Sequence, residues 1–193
     1  MKIIKKISEK EMIAEFLSAE IDSSQFRPLL VENLPVEGHK EDIIRKPDLN
    51  NEKENQMRGL LLNYRGYPDR GLFEGLPKSR GWYIANLKET DLKKLLTINC
   101  EEWIPNSNKT RNFQILVRRL RDGEIEQPTI LKIAHDIDQG KEFPLPIVLH
   151  DLSTDKFVVL EGNKRVASMT LLGLKSFQAI VGEFDSLKDW RWG

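Results

Sequence analysis

The chain contains very little cysteine and histidine. Its 193 residues include one cysteine, Cys100, and three histidines. A single cysteine cannot form an intramolecular disulfide, and so few Cys and His residues cannot build a zinc finger or zinc ribbon. Hydrophobic residues make up 39% of the chain, which is enough for an apolar core. We therefore expect a cytoplasmic protein that folds around such a core without disulfides or structural zinc.

Net charge and long apolar runs are also missing. Lys and Arg total 30, and Asp and Glu also total 30, so the formal net charge is zero. Sequence-independent affinity for nucleic acid depends on many cations, so any phosphate contact should be local. The start, Met1 to Lys6, is charged and no long apolar stretch follows, which predicts neither a signal peptide nor a transmembrane helix. Neither a Walker loop nor a GxGxxG fingerprint is present.

The hydrophobic pattern predicts an α+β fold. Ser8 and Glu11 form a capping box, which predicts a helix running to about residue 20. We predict further strands at 82–87 and 113–117, and Pro128 at the first position of a helix over 128–139. After this helix we predict a β-hairpin with strands at 146–149 and 157–160, a helix over 164–172 and a last strand at 176–181. Residues 1–80 are predicted to form a partly helical extension, and residues 81–193 a core with a small mixed sheet.

Four Arg-Gly pairs lie between residues 58 and 81, with Tyr64, Tyr67 and Phe73 among them. Arginine beside aromatic residues in a glycine-rich loop can contact phosphates and stack on bases. Glycine also simply marks turns. Asp69 and Glu74 dilute the positive charge of this segment, which favours the interpretation as turns.

The segment from Glu161 to Arg165 joins a fully apolar strand to the predicted helix over 164–172. Asn163 is a good helix N-cap, and Lys164 and Arg165 then fall in the first helical turn. Cations at this end oppose the helix dipole, and an anion on the free N–H groups would reverse that penalty. Gly162 would allow close approach of the backbone to the anion. The alternative is an ordinary turn whose basic pair faces water or pairs with Asp or Glu.

This part of the chain resembles the core of the ParB/sulfiredoxin superfamily. The resemblance runs from Pro146-Ile147-Val148, through the hairpin strand at 157–160 and Gly162-x-x-Arg165, to the helix ending at Leu172-Gly173. With the preceding helix it covers roughly residues 112–182. Members of this superfamily include CTP-binding partition proteins, ATP-dependent sulfinic acid reductases, a free-serine kinase and nuclease-like proteins.

The resemblance implies nucleotide-phosphate binding at the turn. Gly162 and Arg165 match the phosphate-binding glycine and arginine of the superfamily, and Asn163 and Lys164 fill the variable positions between them. The implied cofactor is a nucleoside triphosphate with Mg²⁺. Asn163 stands where the reductases have their reactive cysteine, which argues against sulfiredoxin chemistry.

Glu161 is the candidate for acid/base catalysis or a magnesium-linked role, because it follows a buried strand and Mg²⁺ on phosphates is usually held by one or two carboxylates. A structural carboxylate paired with Lys164 or Arg165 is the competing interpretation. Arg118 and Arg119 are candidates for a second phosphate clamp. The alternative is a run of charged residues that faces the solvent.

Three functions remain open at the level of sequence. The first is NTP binding, with NTP hydrolysis or phosphoryl transfer as the reaction, since such catalysis is mainly positioning and electrostatic stabilisation. The second is a DNA- or RNA-binding or nuclease-like module that uses the same turn for a backbone phosphate. The third is a non-catalytic interaction protein that has kept the fold but lost the ligand. The expected partners are a nucleotide and, for the second function, nucleic acid, and no membrane partner is expected.

Overall fold

A computed structural model describes residues 1–34, 40–67 and 70–193 of the chain. The chain divides into two compact units. The helical unit comprises residues 7–76, and the sheet unit comprises residues 1–6 together with 77–193. The sequence predicted an extension over residues 1–80, whereas the structure groups residues 1–6 and 77–80 with the sheet unit. Among the described residues, no helix is long and apolar enough to cross a bilayer.

The first strand, β1 (Lys2–Ile7), leads into the helical unit. That unit contains α1 (Glu9–Ile21), α2 (Arg27–Asn33), α3 (Asp42–Arg45), α4 (Glu52–Leu61), a 3-10 turn at Leu62–Tyr64 and the short strand pair β2 (Gly66–Tyr67) and β3 (Arg70–Gly71). The predicted capping box is confirmed, because the Ser8 hydroxyl accepts from the Glu11 N–H and the Glu11 carboxylate accepts from the Ser8 N–H. Phe16 and Leu17 of α1 are fully buried.

The sheet unit contains β4 (Gly81–Lys88), α5 (Glu89–Leu92), β5 (Leu95–Thr97), α6 (Phe113–Arg121), α7 (Pro128–Asp138), β6 (Ile147–Asp151), β7 (Lys156–Glu161), α8 (Asn163–Leu171) and β8 (Ser176–Phe184). The predicted α+β class is confirmed. The C-terminal order of helix, hairpin, helix and strand is also confirmed, as α7, β6–β7, α8 and β8.

Six strands form one mixed sheet in the order β1-β4-β8-β6-β7-β5. β4 pairs antiparallel with β8, and β6 pairs antiparallel with β7. β6 runs parallel to β8, and β5 runs parallel to β7. Because β5 and β7 are parallel, Thr97 and Glu161, their last residues, lie at the same edge of the sheet.

The strand predicted at 113–117 is wrong, because these residues form the start of α6. Asn112 caps this helix: its side-chain oxygen accepts from the Gln114 N–H at 2.8 Å and from the Ile115 N–H at 3.4 Å. The buried residues of α6 are Phe113, Leu116, Val117 and Leu120. They follow the i, i+3, i+4, i+7 spacing of a helix, of which a window of five residues contains only the first three positions.

The tryptophans of the chain are all buried in the sheet unit. The C-terminal pair, Trp190 and Trp192, folds back onto its own unit, and the Trp192 carbonyl accepts from the Asn99 N–H at 3.1 Å. Arg111 also donates to the carbonyls of Trp192 and Gly193. Burial lowers the pKa of the Arg111 guanidinium, which also donates to the Thr97 carbonyl.

Candidate phosphate-binding turn

The turn between β7 and α8 is set by the backbone of Gly162. This residue has φ +86° and ψ 25°, a left-handed conformation that glycine adopts at little cost. A Cβ at Gly162 would lie 2.9 Å from Arg165 Nη2 and 3.1 Å from Pro146 Cβ. The position therefore requires glycine for two reasons, its conformation and the Arg165 side chain that folds over it.

Asn163 is not the N-cap of α8, and this correction changes its role. Gly162 occupies the cap position and Asn163 is the first helical residue. The Asn163 side chain is buried; its Nδ2 donates to the Val159 carbonyl at 3.1 Å and its Oδ1 accepts from the Ile98 N–H at 3.4 Å. Asn163 thus ties the start of α8 to β7 and to the residue that follows β5, instead of capping free N–H groups.

The Arg165 side chain folds back from α8 toward the end of β7, the strand that precedes this helix. Its guanidinium donates to the Pro144 carbonyl and forms an ion pair with the Glu161 carboxylate. The two side chains are only 10% and 15% exposed. Glu161, the residue expected to act as an acid, base or magnesium ligand, therefore has its carboxylate held by Arg165.

Lys164 is the more exposed of the two cations. Its Nζ lies 3.4 Å from Glu102 Oε1, and each of these side chains is 33% exposed. Ion pairs with this much exposure contribute at most about 1 kcal/mol to folding, because water screens the charges and both side chains lose rotamer freedom. Lys164 can therefore exchange Glu102 for another anion at small cost.

Two cations at the entrance of a helix favour a bound anion only if they lack acidic partners in the protein. The structure pairs both of them, Lys164 with Glu102 and Arg165 with Glu161. The acidic partners remove the electrostatic penalty that had argued for a bound anion, so this premise is wrong. The competing interpretation, in which the basic pair meets the protein's own carboxylates, describes the observed contacts.

The backbone at the start of α8 has a separate property that the ion pairs do not remove. The first N–H groups of a helix have no acceptor within the helix. Gly162 provides no side-chain cap, and the first turn of α8 contains no acidic residue. This turn also lies at the edge of the sheet where β5 and β7 end. In open sheets with parallel strands, ligands bind at the carboxyl ends of the strands.

The two arginines expected to form a second clamp lie in the last turn of α6. Arg119 pairs with Glu124 at 2.8 Å and donates to the carbonyl oxygens of Pro105 and Asn106. Arg118 is exposed. Arg119 is therefore occupied in holding a loop. Within the described part of the chain, no group of three or more His, Cys, Asp or Glu side chains is arranged to hold a metal ion.

The arginines of the Arg-Gly segment have varied surroundings. Arg58 is buried and donates to the carbonyls of Ile43 and Asp48. Arg65 is buried and pairs with Glu20, and its Cζ lies 3.4 Å from the centre of the Phe26 ring. Arg80 is exposed and forms an ion pair with Asp185. Asp69 lies outside the described residues.

Sequence reasoning missed Glu102 and the segment that carries it, residues 98–112. Three non-glycine residues there have positive φ, namely Asn108 at 51°, Lys109 at 62° and Arg111 at 62°. L-residues rarely adopt this conformation. The side chains that face α8 from this segment could not be found from sequence, because only the pairing of β5 with β7 brings them there. Comparison with protein-family models, curated proteins and solved structures yields no significant match for this chain.

Proposed function

We propose that the turn from Gly162 to Lys164 binds a phosphate group of a nucleotide. The observation that carries this proposal is the start of α8, where Gly162 offers no side-chain cap, at the carboxyl ends of β5 and β7 and beside a lysine in an exchangeable ion pair. Phosphate bound there would accept from backbone N–H groups and from Lys164 Nζ, a combination well suited to an anion. The resemblance to ParB-like proteins is consistent with the same location.

The two cations would have different roles in this proposal. Lys164 would bind the phosphate directly, because leaving Glu102 costs little. Arg165 would keep its buried contacts with Glu161 and Pro144 and so hold the turn in shape. Breaking a buried ion pair by removing one partner costs about 3–5 kcal/mol, more than one phosphate contact is expected to return. Arg165 is thus a positioning residue here rather than the primary phosphate ligand.

A nucleoside triphosphate with Mg²⁺ is the proposed ligand, and hydrolysis or phosphoryl transfer the proposed reaction class. Mg²⁺ bound to phosphates needs only one or two protein carboxylates and keeps several waters. Glu161 is the nearest carboxylate in sequence, but it would have to share its oxygens between Arg165 and the metal or the reacting hydroxyl. Binding is therefore the central proposal, and catalysis by Glu161 is the part that demands more rearrangement.

A non-catalytic interaction protein is the second candidate function. It is favoured by one observation, the internal pairing of both basic side chains of the turn. A nucleic-acid-binding module is supported less, because Arg58 and Arg65 of the Arg-Gly segment are buried and bind the protein itself.

The test is a thermal-shift screen with ATP, CTP and GTP in the presence of Mg²⁺, read by tryptophan fluorescence. The tryptophans all lie in the sheet unit, so the signal reports the unit that contains the turn. A ligand at about 100 times its Kd stabilises by about 2.7 kcal/mol, which corresponds to a rise of roughly 5–10 °C.

The variant Lys164→Ala should lose most of that rise. Lys132→Ala is the control, since Lys132 is an exposed lysine on another helix of the same unit. If no nucleotide shifts the midpoint of the wild-type protein, nucleotide binding is wrong and the interaction protein becomes the better description.

A further inference from the structure

The ion pair between Lys164 and Glu102 is the contact in which the proposed binding turn meets a carboxylate from a distant part of the chain. Glu102 Oε1 lies 3.4 Å from Lys164 Nζ, and both side chains keep a third of their surface exposed. A carboxylate at this distance neutralises the cation on which a phosphate would depend. The contact is open to water and can therefore be exchanged.

The backbone that carries Glu102 is held in place by its neighbours. Trp103, the next residue, is buried, and the Trp103 carbonyl accepts from the Ser107 hydroxyl at 2.9 Å. Ser107 is fully buried and its hydroxyl also accepts from the Arg111 N–H at 2.8 Å. The backbone around Glu102 is thus packed, although the segment is neither a helix nor a strand.

The segment from 98 to 112 is also tied to the rest of the sheet unit at several points. The Ile98 N–H donates to the Asn163 side chain, and the Arg111 guanidinium donates to the Thr97 carbonyl at 2.6 and 2.9 Å. Arg119 of α6 donates to the Pro105 carbonyl at 2.6 Å. The positive φ angles of Asn108, Lys109 and Arg111 persist because such contacts over-determine the backbone.

We infer that Glu102 is a built-in competitor for the phosphate site, so that the segment from 98 to 112 lowers the affinity for the ligand. This inference rests on the proposed function of the turn. In the free protein the Glu102 carboxylate occupies Lys164, and a phosphate must displace it before Lys164 can bind the ligand. Because the backbone of the segment is anchored, the Glu102 carboxylate remains within reach of Lys164 and competes at high effective concentration.

The experiment measures the affinity of inorganic tripolyphosphate by calorimetry for the wild-type 193-residue chain and for the variants Glu102→Gln and Glu101→Gln. Tripolyphosphate tests the phosphate site without depending on the identity of a base. Glu101 is the matched control, because it is exposed and adjacent in sequence, and its removal changes the net charge by the same amount. Glu102→Gln should bind about two- to five-fold more tightly than Glu101→Gln, the range expected for releasing one exposed ion pair.

The outcomes separate the inference from the function on which it rests. Equal affinities of the Glu102→Gln and Glu101→Gln proteins, with clear binding by the wild type, would overturn the competition and leave the phosphate site standing. Binding by none of the proteins would overturn both. Binding by Glu102→Gln alone would support the competition in its strongest form. The advantage of Glu102→Gln should also shrink when the ionic strength rises from about 0.02 M to 0.3 M, because salt screens an exposed pair.

Discussion

Replacing Arg165 with alanine should destabilise the sheet unit strongly in the absence of any ligand. The substitution removes the guanidinium that pairs with Glu161 and donates to the Pro144 carbonyl. It leaves the Glu161 carboxylate largely buried without its cation. An uncompensated buried charge is costly because the protein interior solvates it far less well than water does.

The magnitude follows from the burial of the pair. With the two side chains only 10% and 15% exposed, solvent screening is weak. Removing one partner of such a pair costs about 3–5 kcal/mol. For a protein of this size, 1 kcal/mol corresponds to about 2–4 °C, so the melting temperature should fall by roughly 6–20 °C.

Tryptophan fluorescence during thermal or urea unfolding is the suitable assay, because it follows the sheet unit alone. Lys164→Ala provides the control from the neighbouring position. Its ion pair with Glu102 is one-third exposed, so the loss should be below about 1 kcal/mol. The double variant Glu161→Ala/Arg165→Ala should be less destabilised than the sum of the two single variants, since it leaves no unpaired charge.

Two results would refute this reasoning. If Arg165→Ala lowered the midpoint no more than Lys164→Ala, the buried pair would not hold the turn. If the effects of Glu161→Ala and Arg165→Ala simply added, the two side chains would not be energetically coupled. Either result would favour the original prediction, in which the Arg165 side chain binds phosphate directly.

Two further predictions concern the same unit. Gly162→Ala should be more destabilising than Gly173→Ala, because a Cβ at 162 meets Arg165 and Pro146 whereas nothing lies within 4 Å of a Cβ at 173. Both glycines have positive φ, so each substitution carries the conformational cost of about 1–2 kcal/mol. Equal urea midpoints for the two variants would show that crowding at position 162 adds nothing to that cost. Hydrogen bonds and charge from Lys94, followed by His150, hold the pKa of the Asp155 carboxyl below its ordinary value. The ionised carboxylate therefore stabilises the folded state above about pH 4, and this stabilisation is lost as the pH falls through the lowered pKa. Asp155→Asn, which tolerates the local φ of 53°, should therefore be less stable than the wild type near neutral pH and should approach it in acid; a difference that does not change with pH would be evidence against this ion pair.

Sequence alone predicted the features that depend on neighbouring residues. The capping box at Ser8, the helix that starts at Pro128 and the apolar strand before Glu161 carry their signals within a few positions. The predicted turn at Gly162 is also local, since a strand, a glycine and a helix follow one another directly. The failed strand at 113–117 shows the limit of a short window, because the two-turn helical pattern is complete only when Leu120 is included.

Only the tertiary structure decided which charges meet at the turn. The Glu102 carboxylate reaches Lys164 because β5 pairs with β7 and brings the following segment to the start of α8. β1 joins the same sheet although the helical unit separates it from β4 along the chain. Electrostatic partners are set by distance in space, and sheet order fixes that distance. The sequence therefore determined that two cations stand at the entrance of a helix, and the fold determined that each of them has an acidic partner.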